Sequence, residues 1–192
     1  MRELLKQYFN IAFLMGKPQD LPAGPGQLQV GVGLALLTYL LALSIIYGVE
    51  RAFLQAVLDL GLTGIVLFLA LKFTGHPGRF EQAYGGYCGA SMFINLAALP
   101  IFLMRPDAAE PGATTMGALA NFVLMVWGLS LLAHVIRHTF DVAMTLSVVL
   151  AFVGFLVLSS VITSLWPEHM AIDTLSSLCS PVHTLFAAPQ LV

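Results

Sequence analysis

Charge is what this sequence has least of. Asp, Glu, Lys and Arg make up 9% of its 192 residues, against roughly 25% in ordinary soluble domains, too few to cover a surface facing water on every side. Basic residues number eight against ten acids, a formal net charge of -2, so no basic field points to nucleic acid as a partner. Cysteine is nearly absent. Cys88 and Cys179 are too few and too far apart for a disulfide or zinc framework. The chain also lacks a G-x-S-x-G elbow, a P-loop, an H-E-x-x-H helix and acids paired at active-site spacing. Cys88, with Tyr and Gly neighbours in an apolar run, reads as an inert buried thiol. No catalytic residue, metal or cofactor is expected, and the protein reads as a non-enzyme.

Apolar length is what remains. Hydrophobic residues reach 58%, mean hydropathy is +0.89, and the uncharged runs are long enough for a hydrocarbon core about 30 Å thick. The fold class is all-α: a polytopic transmembrane bundle of five spans with an N-terminal amphipathic interfacial helix. Residues 1–26 form that helix and a breaker-rich linker, K-P-Q-D-L-P-A-G-P-G. Residues 27–167 form the five-span domain, with spans at Leu28 to Gly48, Phe53 to Leu71, Tyr84 to Met104, Thr115 to Ile136 and Val142 to Leu165. Glu50 and Arg51 mark the turn between the first two, R-P-D-A-A-E-P-G follows the third, and Trp166 closes the fifth at an interface. Residues 168–192 form a non-cytoplasmic tail without Lys or Arg.

Leu4, Leu5, Tyr8, Phe9, Ala12 and Phe13 share one side of the first helix, opposite most of Arg2, Glu3, Lys6, Gln7 and Asn10. Such a helix lies in the headgroup region or packs on the bundle. The interleaving does not read as a cleaved signal, and an odd number of spans does not divide into inverted halves. With the N-terminus inside, Arg2, Lys6, Lys17, Lys72, Arg79 and Arg137 are cytoplasmic, while Arg51 and Arg105 are outside. The expected location is the inner membrane of a bacterial cell, with the N-terminus cytoplasmic and the C-terminus not.

Polar residues within the spans are few. Asp59 is costly in hydrocarbon and should face the bundle interior, as an acid bonded to a neighbouring helix or as a proton or ion relay lined by Asn95 and Asn121. His134, His138 and Asp141 have i, i+4, i+7 spacing, but the sequence around them favours a helix end at the headgroups over a metal site. Gly85, Gly86 and Gly89 permit close helix packing, within the bundle or between copies.

The stretch between the second and third spans carries the most specific pattern. F-T-G-H-P-G-R-F-E-Q-A-Y-G-G-Y-C-G-A, Phe73 to Ala90, resembles the signature of the YIP family, the Ypt/Rab-interacting membrane proteins. In that family a Gly-containing basic turn leads through Gln and Tyr into a span that often carries a Pro, here Pro100. The Trp127-bearing run V-W-G-L-S-L-L-A-H-V-I-R-H-T-F-D-V-A-M is similar to the family's Trp-bearing helix, and the likeness covers about Leu54 to Trp166. The short N-terminal region resembles bacterial members. The resemblance implies a five-span, N-inside protein that organises membranes or acts as an adaptor. Its partners would be the lipid bilayer and other membrane proteins, possibly itself. Within the turn Thr74 to Gln82 and its exit, the candidate contacts are Gly75, Arg79, Phe80, Glu81, Gln82 and Tyr84. The alternative class is a small transporter or channel using Asp59.

Overall fold

In the computed structural model, residues 1–103 and 113–165 are described. The loop from Arg105 to Gly112, Trp166, Cys179 and the tail 168–192 lie outside them. Among the described residues there are six α-helices: α1 (Arg2–Ala12), α2 (Pro25–Tyr47), α3 (Val49–Phe73), α4 (Phe80–Leu103), α5 (Ala113–Phe140) and α6 (Met144–Leu165). All but α1 are long and apolar enough to cross a membrane. Their outward faces carry large apolar side chains, among them Leu37, Phe53, Ile65, Phe122 and Val153. Water would not tolerate such faces around a whole bundle.

Helix boundaries follow local chemistry. Pro25 starts α2 at a position where a missing N–H costs nothing. The connection from α2 to α3 is Gly48 alone, at φ 78°, so Glu50 and Arg51, expected as a turn, belong to the first turn of α3. Phe80, Glu81 and Gln82, expected in the turn before the third span, are the opening residues of α4.

Met1–Leu158 forms one compact unit that includes the N-terminal helix and linker. Ser159 onward clusters as a second unit, described only through the last turns of α6. Within the first unit α4 is central and packs against α1, α2, α3 and α5. Small residues make this possible. The buried face of α2 reads Gln27, Gly31, Ala35, Thr38 and Ala42, while that of α4 includes Ala83, Gly85, Gly86, Gly89 and Ala90. Asn95 Nδ2 donates across this seam to Thr38 Oγ1 at 3.3 Å.

For α1 the packed alternative is what is seen. Tyr8, Ile11 and Ala12 are buried against the bundle, while Phe9, Phe13 and Met15 stay exposed. Two side chains of α5 hold carbonyls at its end and just beyond. Trp127 Nε1 donates to Ala12 O at 2.8 Å, and His134 Nε2 lies 2.7 Å from Gly16 O. The first satisfies an acceptor that the helix terminus would otherwise leave open, and the second fixes the start of the linker.

Candidate functional site

The turn after α3 is a preformed structure. Gly75, at φ 80°, occupies the left-handed position past a helix end. Its N–H donates to Lys72 O at 3.3 Å, and that of His76 to Leu71 O at 2.9 Å. These are the paired bonds of a Schellman motif, which favours glycine at this place. Thr74 Oγ1 closes the same end by donating to Ala70 O at 2.9 Å. A short 3-10 turn, Pro77–Arg79, then leads into α4.

The other contact candidates divide between internal and outward roles. Arg79 Nη1 bonds Asp141 Oδ2 at 2.9 Å and Thr139 O at 2.8 Å, linking the turn to the corner after α5. Phe80 stacks on Tyr84 with centroids 5.3 Å apart and meets Phe68 edge-on at 5.4 Å. Gln82 Nε2 donates to Leu21 O at 2.7 Å, fixing the N-terminal linker. Tyr84 is buried, and its hydroxyl donates to Leu60 O at 2.6 Å. Glu81 is partly exposed, as are Arg79, Phe80 and Gln82. Full exposure runs instead from Lys72 to Gly78. Phe73 stands 85% exposed just before the turn.

The three glycines sit under neighbouring side chains. A Cβ on Gly85 would meet the Gln27 amide at 2.6 Å, one on Gly86 would meet Leu21 Cδ1 at 2.9 Å, and one on Gly89 would meet the Tyr8 ring at 2.4 Å. All three contacts are within the chain. Tyr8 also donates its hydroxyl to Gln27 O at 2.9 Å, and its burial raises the phenol above its ordinary pKa.

Asp59 is partly buried, and its carboxyl meets the Tyr39 hydroxyl of α2. Asn95 is occupied by Thr38, and Asn121 is exposed on α5 beside Phe122 and Val123. Asn95 thus serves the seam between α2 and α4, and Asn121 faces outward. The His134, His138 and Asp141 set also divides. The two imidazoles meet edge-on, 4.5 Å between centroids, but α5 ends at Phe140, and Asp141, at φ 52°, turns to Arg79. Among the described residues no group of three His, Cys, Asp or Glu could hold a metal ion.

The N-terminal linker, the turn after α3 and the corner after α5 share one end of the bundle, joined by Gln82 to Leu21, Gln19 to the His138 carbonyl, and Arg79 to Asp141. Beside this end, a groove of about 480 Å³ opens between α3, α5 and α6, with Tyr87 of α4 also in its lining, reaching from Thr63 to Thr74 along α3. It went unseen in the sequence because its walls come from four separate spans. No protein-family model, no curated protein and no solved structure matches this chain.

Proposed function

We propose that this protein is a non-enzymatic, multi-pass membrane protein of the bacterial inner membrane that organises or adapts other membrane components, as the YIP resemblance implies. The observation that carries the reading is the turn Lys72 to Gly78. It is exposed throughout, yet held by the Schellman bonds before it and the Arg79 clamp after it. A fixed, solvent-facing surface loses little entropy when a partner docks. The cytoplasmic side suits it, because Lys17, Lys72, Arg79 and Arg137 lie at the end where the three segments meet. Phe73, His76 and Glu81 are its contact residues, while Arg79, Phe80, Gln82 and Tyr84 shape it from beneath.

A photoreactive residue placed at Gly78 in native membranes is expected to capture one defined membrane protein, identified by mass spectrometry. The adduct should disappear in a His76→Ala, Glu81→Ala double variant and persist in Asp59→Asn. Lack of a discrete protein adduct, or one indifferent to His76 and Glu81, would count against an adaptor.

A second reading, a small transporter or channel, is favoured by Asp59 facing Tyr39 between α2 and α3. An ionisable group at this depth is a functional candidate by default. Reconstituted liposomes decide between the two. The adaptor reading expects proton and cation flux no higher than in empty vesicles, whereas flux that Asp59→Asn abolishes would establish transport.

A further inference from the structure

The N-terminal helix sits deeper than its charged residues alone would place it, and the spans it touches give its level. Phe9 meets Phe93 of α4 edge-on with centroids 5.5 Å apart, and Phe13 lies 5.3 Å from the Trp127 ring of α5. Glu81 and Arg137 mark the same end of those two spans, in the first turn of α4 and the last turn of α5. Phe93 lies about 18 Å along α4 from Glu81, and Trp127 about 15 Å along α5 from Arg137, at a helical rise of 1.5 Å per residue. One leaflet's share of a hydrocarbon core roughly 30 Å thick is about 15 Å. The second half of α1 therefore lies across the spans at acyl-chain level, in the half of the bilayer next to its own terminus.

Its outward stripe matches that level. Positions i, i+4, i+7 and i+11 share one line on a helix, here Arg2, Lys6, Phe9 and Phe13, and all four are exposed. The stripe is basic at its start and aromatic at its end, and Leu14 and Met15 extend the apolar part, Met15 at 69% exposure. Leu96 of α4 and Val126 of α5, beside Phe93 and Trp127, also face outward. The apolar patch is thus continuous with the membrane-facing surface of the spans, so acyl chains cover it, while Arg2 and Lys6 reach toward the headgroups. Pro18 and Leu21 of the linker pack over Gly86 of α4 and add bulk at a similar level. At the opposite end of the spans, the connection from α2 to α3 is Gly48 alone.

We infer that α1 is a wedge in the leaflet on the N-terminal side, and that it makes the protein accumulate where that leaflet is convex. This deepens the membrane-organising side of the proposed function and rests on it. A helix that spreads one leaflet and not the other fits best where curvature already stretches that leaflet, because the headgroups are further apart there. Tyr8, buried over Gly89, fixes α1 to the bundle. The wedge is therefore part of the fold and does not insert and leave as a free amphipathic helix would.

Two measurements test this on the full chain in vesicles of phosphatidylcholine and phosphatidylglycerol, with Cys179→Ser removing the tail thiol and Cys88 protected by its burial. A nitroxide at Met15→Cys should collide more with oxygen than with a water-soluble nickel chelate, and one at Lys6→Cys the reverse. A Met15 label that favours the chelate puts α1 outside the bilayer, and one shielded from both puts a protein on this face; either result overturns the inference. For curvature, a membrane-impermeant dye at Gly78→Cys marks only molecules whose N-terminal side faces outward in vesicles of mixed size. Their density per membrane area should be several-fold higher on the smallest vesicles than on the largest. Phe9→Ala, Phe13→Ala and Met15→Ala together should flatten that dependence, while Leu119→Ala, Phe122→Ala and Val123→Ala, exposed on the far half of α5, should leave it unchanged. Density independent of vesicle size in the otherwise unaltered chain overturns the wedge whether or not the variants fold, as does a triple α1 variant that keeps the full preference. If the size dependence fails while the Gly78 adduct persists, the adaptor reading stands without the wedge.

Discussion

Tyr8→Ala is expected to release the N-terminal helix from the bundle and to produce the largest loss of stability of any single truncation in α1. The Tyr8 ring is fully buried and fills the space above Gly89, while its hydroxyl donates to Gln27 O. Removing a buried aromatic side chain costs about 3–5 kcal/mol, because the cavity closes only in part. Trp127 reports the event directly. Its indole N–H bonds Ala12 O and its ring lies 5.3 Å from that of Phe13, so detachment of α1 should expose it to a more polar setting. In a Trp166→Phe background, Tyr8→Ala should shift the remaining emission to the red and lower the thermal midpoint in detergent. Tyr8→Phe should keep the emission and lose only the hydrogen bond, about 1 kcal/mol. Unchanged emission in Tyr8→Ala would mean that α1 does not depend on this anchor.

Gly31→Ala should be nearly as damaging, although it adds one methyl group. An alanine Cβ there would stand 2.5 Å from the Gly85 carbonyl oxygen and 3.1 Å from the Tyr8 hydroxyl. The first of these neighbours is backbone and cannot rotate away. The seam between α2 and α4 must then open along Ala35 and Thr38, weakening the Asn95 to Thr38 bond. Overpacking of this kind costs about 1–3 kcal/mol. Gly33→Ala is the matched control, two residues along the same helix with nothing within 4 Å. It should be neutral or slightly stabilising, since alanine is the better helix former. Comparing the two melting midpoints in one detergent checks the prediction. Equal behaviour would show that the seam is looser than its geometry requires.

Much of this architecture was legible in the chain. The five spans follow from runs of apolar residues long enough to cross a bilayer, and the helix of residues 2–12 follows from its 3.6-residue periodicity. The glycine cluster at Gly85, Gly86 and Gly89 announced close packing, since only residues without bulk let two backbones approach. The contact candidates were harder to sort. Arg79, Phe80, Gln82 and Tyr84 are the residue types of an interaction surface, and nothing local distinguishes a side chain turned toward a partner from one turned toward its own bundle. Their destinations, Asp141, Phe68, Leu21 and Leu60, are separated from them in sequence by as much as 62 residues.

The sequence by itself determined that the protein is helical and lives in a membrane, because hydrophobic length and scarcity of charge act residue by residue and need no neighbours. Tertiary structure decided what the rare polar and aromatic groups are for. It set Tyr8 on Gly89, turned Asp141 away from the histidines to Arg79, left Lys72 to Gly78 exposed and opened a groove beside α6. Those outcomes depend on which helices lie side by side, and when every span is apolar all around, the hydrophobic pattern cannot say which face meets which. Packing of small residues and a few interhelical hydrogen bonds make that choice.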